Sequence, residues 1–123
     1  MKLTKNFSKS EFECKCGCEM PEDILENIKY LAQHLQRLRD KFNAPIKINS
    51  AYRCEAHNIT IGGSENSQHL KGYASDIVVK GKTPLEVYDF IDKLQKLNML
   101  KLGGLGKYET FTHFDIRGYI SRW

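Results

Sequence analysis

Apolar residues between Pro21 and Phe42 recur at spacings of three and four, which predicts a long amphipathic helix over residues 21–42. A proline at the first position and two acids behind it favour a helix start there. The segment 43–45, Asn-Ala-Pro, favours the helix end. The apolar stripe consists of Ile24, Ile28, Leu31, Leu35, Leu38 and Phe42.

A second helix is predicted from Thr83 to about Asn98. Thr83 and Glu86 have the spacing of a capping box, and Pro84 occupies a position at which helices tolerate proline. Ser8 and Glu11 show the same capping spacing and predict a short helical turn.

The remaining patterned segments are short and predict strands. Residues 46–49 alternate apolar and polar positions, and residues 74–79 form a brief apolar run. Residues 103–108 and 112–117 are typical of a strand pair, with a turn near residues 109–110. A short helix is expected between residues 54 and 61. This order predicts an α+β fold in which a small mixed or antiparallel sheet packs against two main helices.

Composition supports one globular domain over residues 1–123. The hydrophobic share of 41% and the charged share of 28% are ordinary for such proteins. The formal net charge of +4 is scattered, so it tolerates an anionic polymer such as a bacterial wall but does not favour nucleic acid. No apolar run predicts membrane insertion, and the N-terminal residues lack a secretory signal pattern.

The four cysteines are unevenly distributed, because Cys14, Cys16 and Cys18 share one short segment and Cys54 is distant. Four thiolates could bind a structural metal, although C-x-C-x-C differs from the usual C-x2-C spacing. The alternative is a set of reduced, partly buried thiols in a cytosolic product.

Three residues suit a catalytic zinc site, which usually has three protein ligands and one open position. They are His69, Asp76 and His113. Taken singly, each is better explained as a surface residue, a strand-edge acid or a satisfied imidazole. Their context is more specific: residues 67–77 read SQHLKGYASDI, residues 50–53 read SAYR, and residues 112–115 read THFD.

These three blocks resemble the zinc D-Ala-D-Ala carboxypeptidase family, with its S-x-H-x-x-G-x-A-x-D, S-x-Y-R and H-x-D motifs. The similarity is greatest to small phage and prophage members and spans nearly the whole chain. The resemblance implies a hedgehog/D,D-peptidase-like fold and one catalytic Zn²⁺ bound by His69, Asp76 and His113.

The resemblance leaves the general base open. Many relatives have an acid three residues before the last histidine, where this chain has Thr110. Asp115 is the first candidate, since it shares a strand face with His113, and Glu109 at the turn is the second. A third option is that neither serves, with Asp115 instead orienting a ligand imidazole or pairing with Arg117.

The resemblance also implies that Arg53 binds substrate near the scissile bond, where a guanidinium would stabilise an oxyanion. A surface salt bridge is the alternative. Gln68 and Ser67 are expected to shape the metal loop or to touch substrate. We interpret His57 and Trp123 as structural.

The sequence therefore predicts a zinc-dependent peptidase that hydrolyses peptidoglycan stem or cross-link peptides, as a D,D-carboxypeptidase or as an endopeptidase of the endolysin type. The alternative is a non-catalytic zinc-containing module that binds cell wall or serves a phage structure. We expect a monomer, made in the cytoplasm, that reaches the wall through holin release, host lysis or a virion.

Overall fold

The computed structural model describes all residues from Met1 to Trp123 and has an α+β fold, as predicted. The helices are α1 (Glu22–Phe42), α2 (Glu55–Thr60) and α3 (Pro84–Lys96), with short 3-10 helices at Lys9–Phe12 and Gln68–Lys71. The strands are β1 (Ile46–Ser50), β2 (Ala74–Val79), β3 (Gly104–Lys107), β4 (Thr112–Asp115) and β5 (Ser121–Arg122).

The long helix α1 follows its apolar stripe. Its apolar positions Leu25, Ile28, Leu31, Leu35 and Leu38 are buried in one hydrophobic cluster with residues of the sheet and of α3. Asn43 ends the helix in the left-handed conformation, with φ of 50°, which asparagine tolerates better than most residues.

The start of α3 confirms the capping prediction. The Thr83 hydroxyl accepts a hydrogen bond from the Glu86 N–H, and the Glu86 carboxylate accepts one from the Thr83 N–H. The helix ends at Lys96, two residues before the predicted end, because Asn98 has a positive φ of 57° that an α-helix cannot include.

The mixed sheet has the strand order β1-β2-β4-β3-β5. All neighbours are antiparallel except β3 and β5, which are parallel. The central strands β2 and β4 pair so that Asp76 lies directly opposite His113. Directly opposed residues on antiparallel strands have Cβ atoms about 4.5–5.5 Å apart, so this register brings the two side chains together.

Two features of the sheet differ from the prediction. Strand β5 was not predicted, because its two residues are too few to show a pattern and its pairing with β3 is long-range. The strands β3 and β4 are shorter than the predicted segments 103–108 and 112–117. None of the helices combines the length and apolar character required to span a bilayer.

Candidate metal centre

The 3-10 helix Gln68–Lys71 carries His69 and lies directly before strand β2 in the chain. The Ser67 hydroxyl caps this helix by accepting a hydrogen bond from the His69 N–H at 3.2 Å. Ser67 therefore shapes the loop, which is one of the two roles predicted for it. The buried His69 ring lies with Nδ1 2.6 Å from the Ala51 carbonyl oxygen. A carbonyl only accepts, so Nδ1 carries the proton and Nε2 of the neutral ring has a free lone pair.

The His113 ring is oriented with Nδ1 towards Asp76, whereas the His69 ring is oriented with Nε2 towards it. Its Nε2 lies 2.7 Å from Oδ2 of Asp115, and its Nδ1 lies 3.2 Å from Oδ1 of Asp76. The Asp115 carboxylate is an acceptor, so it places the imidazole proton on Nε2. The free lone pair of neutral His113 is therefore on Nδ1, directed towards Asp76.

Three acceptor atoms consequently converge on one point. Nε2 of His69 and Nδ1 of His113 each lie 3.2 Å from the same oxygen, Oδ1 of Asp76. With both rings neutral, no proton is available between these atoms, and lone pairs at hydrogen-bond distance repel each other. A cation bound among them would convert this repulsion into attraction.

The spacing of these atoms fits a small divalent ion. Zinc bonds of about 2.0–2.2 Å in a tetrahedron separate neighbouring ligand atoms by about 3.3–3.6 Å, close to the observed 3.2 Å. Two imidazoles and a carboxylate form a common ligand set for catalytic zinc, which keeps a fourth position open. The residues present therefore fit the metal that the sequence predicts, and their role as its ligands stays a prediction.

Asp115 lies beneath this centre and is fully buried. Its Oδ1 accepts the Gly104 N–H at 2.8 Å, and Arg117 donates to both oxygens, from Nε at 2.9 Å and from Nη2 at 2.7 Å. A Cβ atom at Gly104 would overlap with the carboxylate, so glycine is required there for this close approach. With both oxygens bound by protein, the geometry favours the orienting role of Asp115 over that of a base.

The charges of the centre follow from these contacts. Burial would raise the pKa of Asp76, but the His113 and His69 rings beside it, whose protonated forms would donate to it when no ion is bound, outweigh burial and hold that pKa well below its ordinary value. The pKa of Asp115 is likewise lowered against burial, by His113, Arg117 and the Gly104 N–H. Both carboxylates are thus ionised at neutral pH. Burial lowers the pKa of His113, but its two carboxylate partners raise it overall.

Arg53 links the metal centre to the loop after β1. Its Nη2 donates to Oδ2 of Asp76 at 3.1 Å, and its Nε donates to the Ser50 hydroxyl at 3.1 Å. Its weak contact with Asn58 Oδ1 measures 3.4 Å. The contact with Asp76 is a largely buried ion pair within the centre and not the surface salt bridge considered for Arg53, whose role in binding substrate stays a prediction.

The centre opens onto a cleft of about 640 Å³. Its lining includes the predicted residues Arg53, Ser67, Gln68, His69, Asp76 and His113, together with Ile61, Gly62, Gly63, Ser64, Asn66, Tyr108, Phe111, Arg117 and Trp123. Asp76 is the one acid in this lining, and two arginines face the same space. Arg53 and Gly63 also border a second cleft of about 520 Å³.

Glu109 does not line this cleft. It is exposed at the turn between β3 and β4, and its neighbours Tyr108 and Phe111, whose rings stack at 4.4 Å, are both in the lining. The structure thus keeps Glu109 beside the cleft without bringing its carboxylate to the metal centre. Its predicted role as a base stays a prediction.

Trp123 and Arg117 contribute more to the site than the sequence indicated. The Trp123 ring lies 4.8 Å from the His113 ring, and the Arg117 guanidinium carbon lies 5.3 Å from the Trp123 ring. The sequence named Arg117 only as a possible partner of Asp115, and this pairing is confirmed. No local pattern could have placed Trp123, because its position depends on the parallel pairing of β5 with β3.

One comparison with known proteins identified a family for the chain. The model of a family described as Peptidase M15 matches residues 5–115, which include all three predicted metal ligands. No curated protein matches the chain.

Proposed function

The chain belongs to the peptidase M15 family, and from this premise we propose that it is a zinc-dependent peptidase that hydrolyses stem or cross-link peptides of bacterial peptidoglycan. The observation that carries the proposal is that Nε2 of His69 and Nδ1 of His113 each lie 3.2 Å from Oδ1 of Asp76, with all three ligand atoms within 4.8 Å of one another. Bound there, Zn²⁺ would supply Lewis-acid polarisation of a peptide carbonyl and activation of water at neutral pH.

Asp115 acts through His113. By fixing the proton on Nε2, it leaves Nδ1 free to bind the ion and holds the ring in one orientation. The bidentate contact of Arg117 neutralises Asp115, which would otherwise add a second buried negative charge next to Asp76. Asp115 is therefore a positioning residue.

Arg53 is placed to bind the reacting part of the substrate. Its Nη2 contacts Asp76, its Nε contacts Ser50 and its Nη1 makes the weak contact with Asn58, so two of the five guanidinium N–H groups remain uncommitted on a side chain that lines the cleft. A fixed cation at this position would hold a substrate carboxylate or stabilise negative charge that develops on a carbonyl oxygen.

Glu109 is our candidate for proton transfer. Asp76 would be occupied by the ion when it is bound, and Asp115 is held by Arg117 and His113, so neither is free to exchange protons with a substrate. Glu109 is exposed, and it lies between two residues whose rings line the cleft. The proposal requires the turn to bring its carboxylate over the cleft, where it would take a proton from water and pass it to the leaving amine.

The cleft suits a peptide that carries negative charge. Arg53 and Arg117 supply two cations, and Trp123, Tyr108 and Phe111 supply aromatic surface. A substrate with a free terminal carboxylate would be cut as by a D,D-carboxypeptidase, whereas a cross-link running through the open cleft would be cut as by an endopeptidase of the endolysin type. Gln68 is proposed to touch either substrate.

A second candidate function is binding without hydrolysis. The observation that favours it is the acid content of the cleft, where Asp76 is the one carboxylate and Thr110 stands where many relatives have an acid. In this case the chain would be a zinc-containing cell-wall-binding or phage structural module. Wall binding without the appearance of any shortened muropeptide would select this function.

The test is digestion of purified peptidoglycan in the presence of zinc, followed by mass spectrometry of the released muropeptides. We expect new amino and carboxyl termini with the wild type, and their loss with His113→Ala or after chelation. His57→Ala removes a histidine outside the centre and should retain activity. Hydrolysis that persists in both chelator and His113→Ala would overturn the metal mechanism.

We further propose that the protein acts as a monomer at the bacterial wall, after phage lysis, through holin release or from within a virion. The proposed substrate places its site of action there, because peptidoglycan lies outside the cytoplasmic membrane. Light scattering in solution and lysis of cells from outside test the two statements separately.

A further inference from the structure

The four cysteine sulfurs form a second cluster of metal-binding groups. The Sγ atoms of Cys14 and Cys16 are 3.3 Å apart, those of Cys16 and Cys54 are 3.4 Å apart, and those of Cys14 and Cys54 are 3.8 Å apart. The Cys18 sulfur joins them, and all four lie within 4.8 Å of one another. The fold thus brings together thiols from two segments that are separated in the chain by residues 19–53.

A tight turn explains how one short segment supplies three of these sulfurs. The Gly17 N–H donates to the Cys14 carbonyl at 3.0 Å, and Gly17 has a φ of 86°, which other residues rarely adopt. This turn reverses the chain between Cys14 and Cys18. The unusual C-x-C-x-C spacing is therefore compatible with sulfurs that point to one centre.

The spacing of the sulfurs matches a tetrahedral thiolate site. Zinc–sulfur bonds of about 2.3 Å place the corners of a tetrahedron about 3.8 Å apart, and the three observed separations of 3.3, 3.4 and 3.8 Å lie within about 0.5 Å of this value. We propose that Cys14, Cys16, Cys18 and Cys54 bind a second Zn²⁺ with a structural role. Four sulfur ligands leave no open position, so this ion takes no part in hydrolysis.

The contacts argue against simple pairs of cysteines. The Cys14 sulfur contacts both Cys16 and Cys54, and the Cys54 N–H donates to it at 3.4 Å. A shared cation explains why each sulfur has several sulfur neighbours, whereas a disulfide would select one.

This ion would connect the N-terminal segment that contains Cys14, Cys16 and Cys18 to the loop that contains Arg53 and Cys54. Cys54 directly follows Arg53, whose N–H donates to the His69 carbonyl at 3.2 Å. The preceding Tyr52 N–H donates to the carbonyl of buried Phe12 at 3.1 Å. Zinc at the cysteines would therefore hold the backbone of Arg53 between two fixed segments.

The first experiment counts metal ions by mass spectrometry in protein purified with zinc and a reductant. We expect two ions per chain in the wild type and one in Cys16→Ser/Cys18→Ser. His69→Ala should also retain one ion. Cys16 is exposed and Cys18 is half-buried, so this double variant leaves the buried Cys14 intact. Glu13→Gln removes an exposed acid of the same segment and should keep both ions.

The second experiment identifies the ligands in chains that keep all four cysteines. Cobalt-loaded His69→Ala should show sulfur-to-cobalt charge-transfer absorption, and its thiols should become reactive towards a disulfide reagent only after chelation. A wild type with one ion that His69→Ala removes would overturn the proposal. So would fewer than four reactive thiols after denaturation without reductant, which would indicate a disulfide. Two ions in a chain without peptidase activity would refute the proposed function alone.

Discussion

Asp115 contacts His113 at 2.7 Å, from Oδ2 to Nε2, and this contact decides which imidazole nitrogen faces Asp76. The two residues are neighbours on one face of β4, one of them fully buried and the other opening onto the cleft. The pair therefore connects the interior of the sheet with the proposed metal position. Its role can be tested by zinc affinity, without a measurement of hydrolysis.

Asp115→Asn should weaken zinc binding at the catalytic centre by about 10–100-fold, because the amide no longer offers two acceptors to His113 and Arg117. Competition with a chromophoric chelator measures this affinity. Asp92→Asn removes a carboxylate paired with another arginine, Arg122, and should leave the affinity unchanged. Equal affinities in the wild type and Asp115→Asn would show that the contact does not orient the ring.

Glu109→Gln should lower kcat by at least about 100-fold with little change in KM, because the amide cannot accept the proton from water. Steady-state kinetics on a defined muropeptide measure both constants, and metal content should stay at the wild-type level. Glu65→Gln changes an exposed acid on a neighbouring loop and should have no such effect. Retention of full kcat in Glu109→Gln would eliminate this residue as the base.

Arg53→Lys should reduce kcat/KM by about 10–100-fold, because an ammonium cannot contact Asp76 and a substrate oxygen with the same planar geometry. The ion pair with Asp76 is retained in part, so we expect metal content to be unchanged. Arg37→Lys, on the exposed face of α1, is the matched control. Wild-type kinetics in Arg53→Lys would limit the arginine to a structural role.

Asp92→Asn should destabilise the fold by about 0.5–1 kcal/mol at pH 7, since the ion pairs it loses are partly exposed. Hydrogen bonds from Lys96 and Arg122 lower the pKa of Asp92 against the opposing effect of burial. A lowered folded-state pKa contributes stability above the unfolded value of about 3.9, and this contribution is lost as the pH falls through the folded value.

Thermal unfolding of the metal-free wild type and Asp92→Asn, followed from pH 7 into the acid range, checks this sign. The difference in Tm should be largest near neutral pH and should disappear once Asp92 is protonated. A difference that grows on acidification would contradict the assignment.

Much of the fold was predictable because its signals are local. The periodic stripe of α1, the capping box of α3 and the apolar run of β2 each act through residues within a few positions, and all three elements appear within two residues of the predicted bounds. The strand pair β3 and β4 was also predicted, with longer limits than the structure shows.

The residues of the candidate site could be predicted from the sequence, but the contacts among their side chains could not. The motif around His69 and Asp76, with His113 downstream, named three residues that the fold does bring together. The sequence left the role of Asp115 between base and orienting group, and its burial and its contacts with Arg117 are the observations behind the orienting role that we propose. The cysteine cluster was likewise an open alternative until the turn at Gly17 placed its sulfurs together.

The sequence by itself determined the α+β class, the principal helices and strands, and the set of residues able to bind metal, since these depend on periodicity, capping and residue chemistry. Only the tertiary structure decided which nitrogen of each histidine faces Asp76, that Trp123 packs on His113, and that Cys54 meets the N-terminal loop. Those relationships join segments distant in the chain, and they are set by sheet register and burial, which no local pattern encodes.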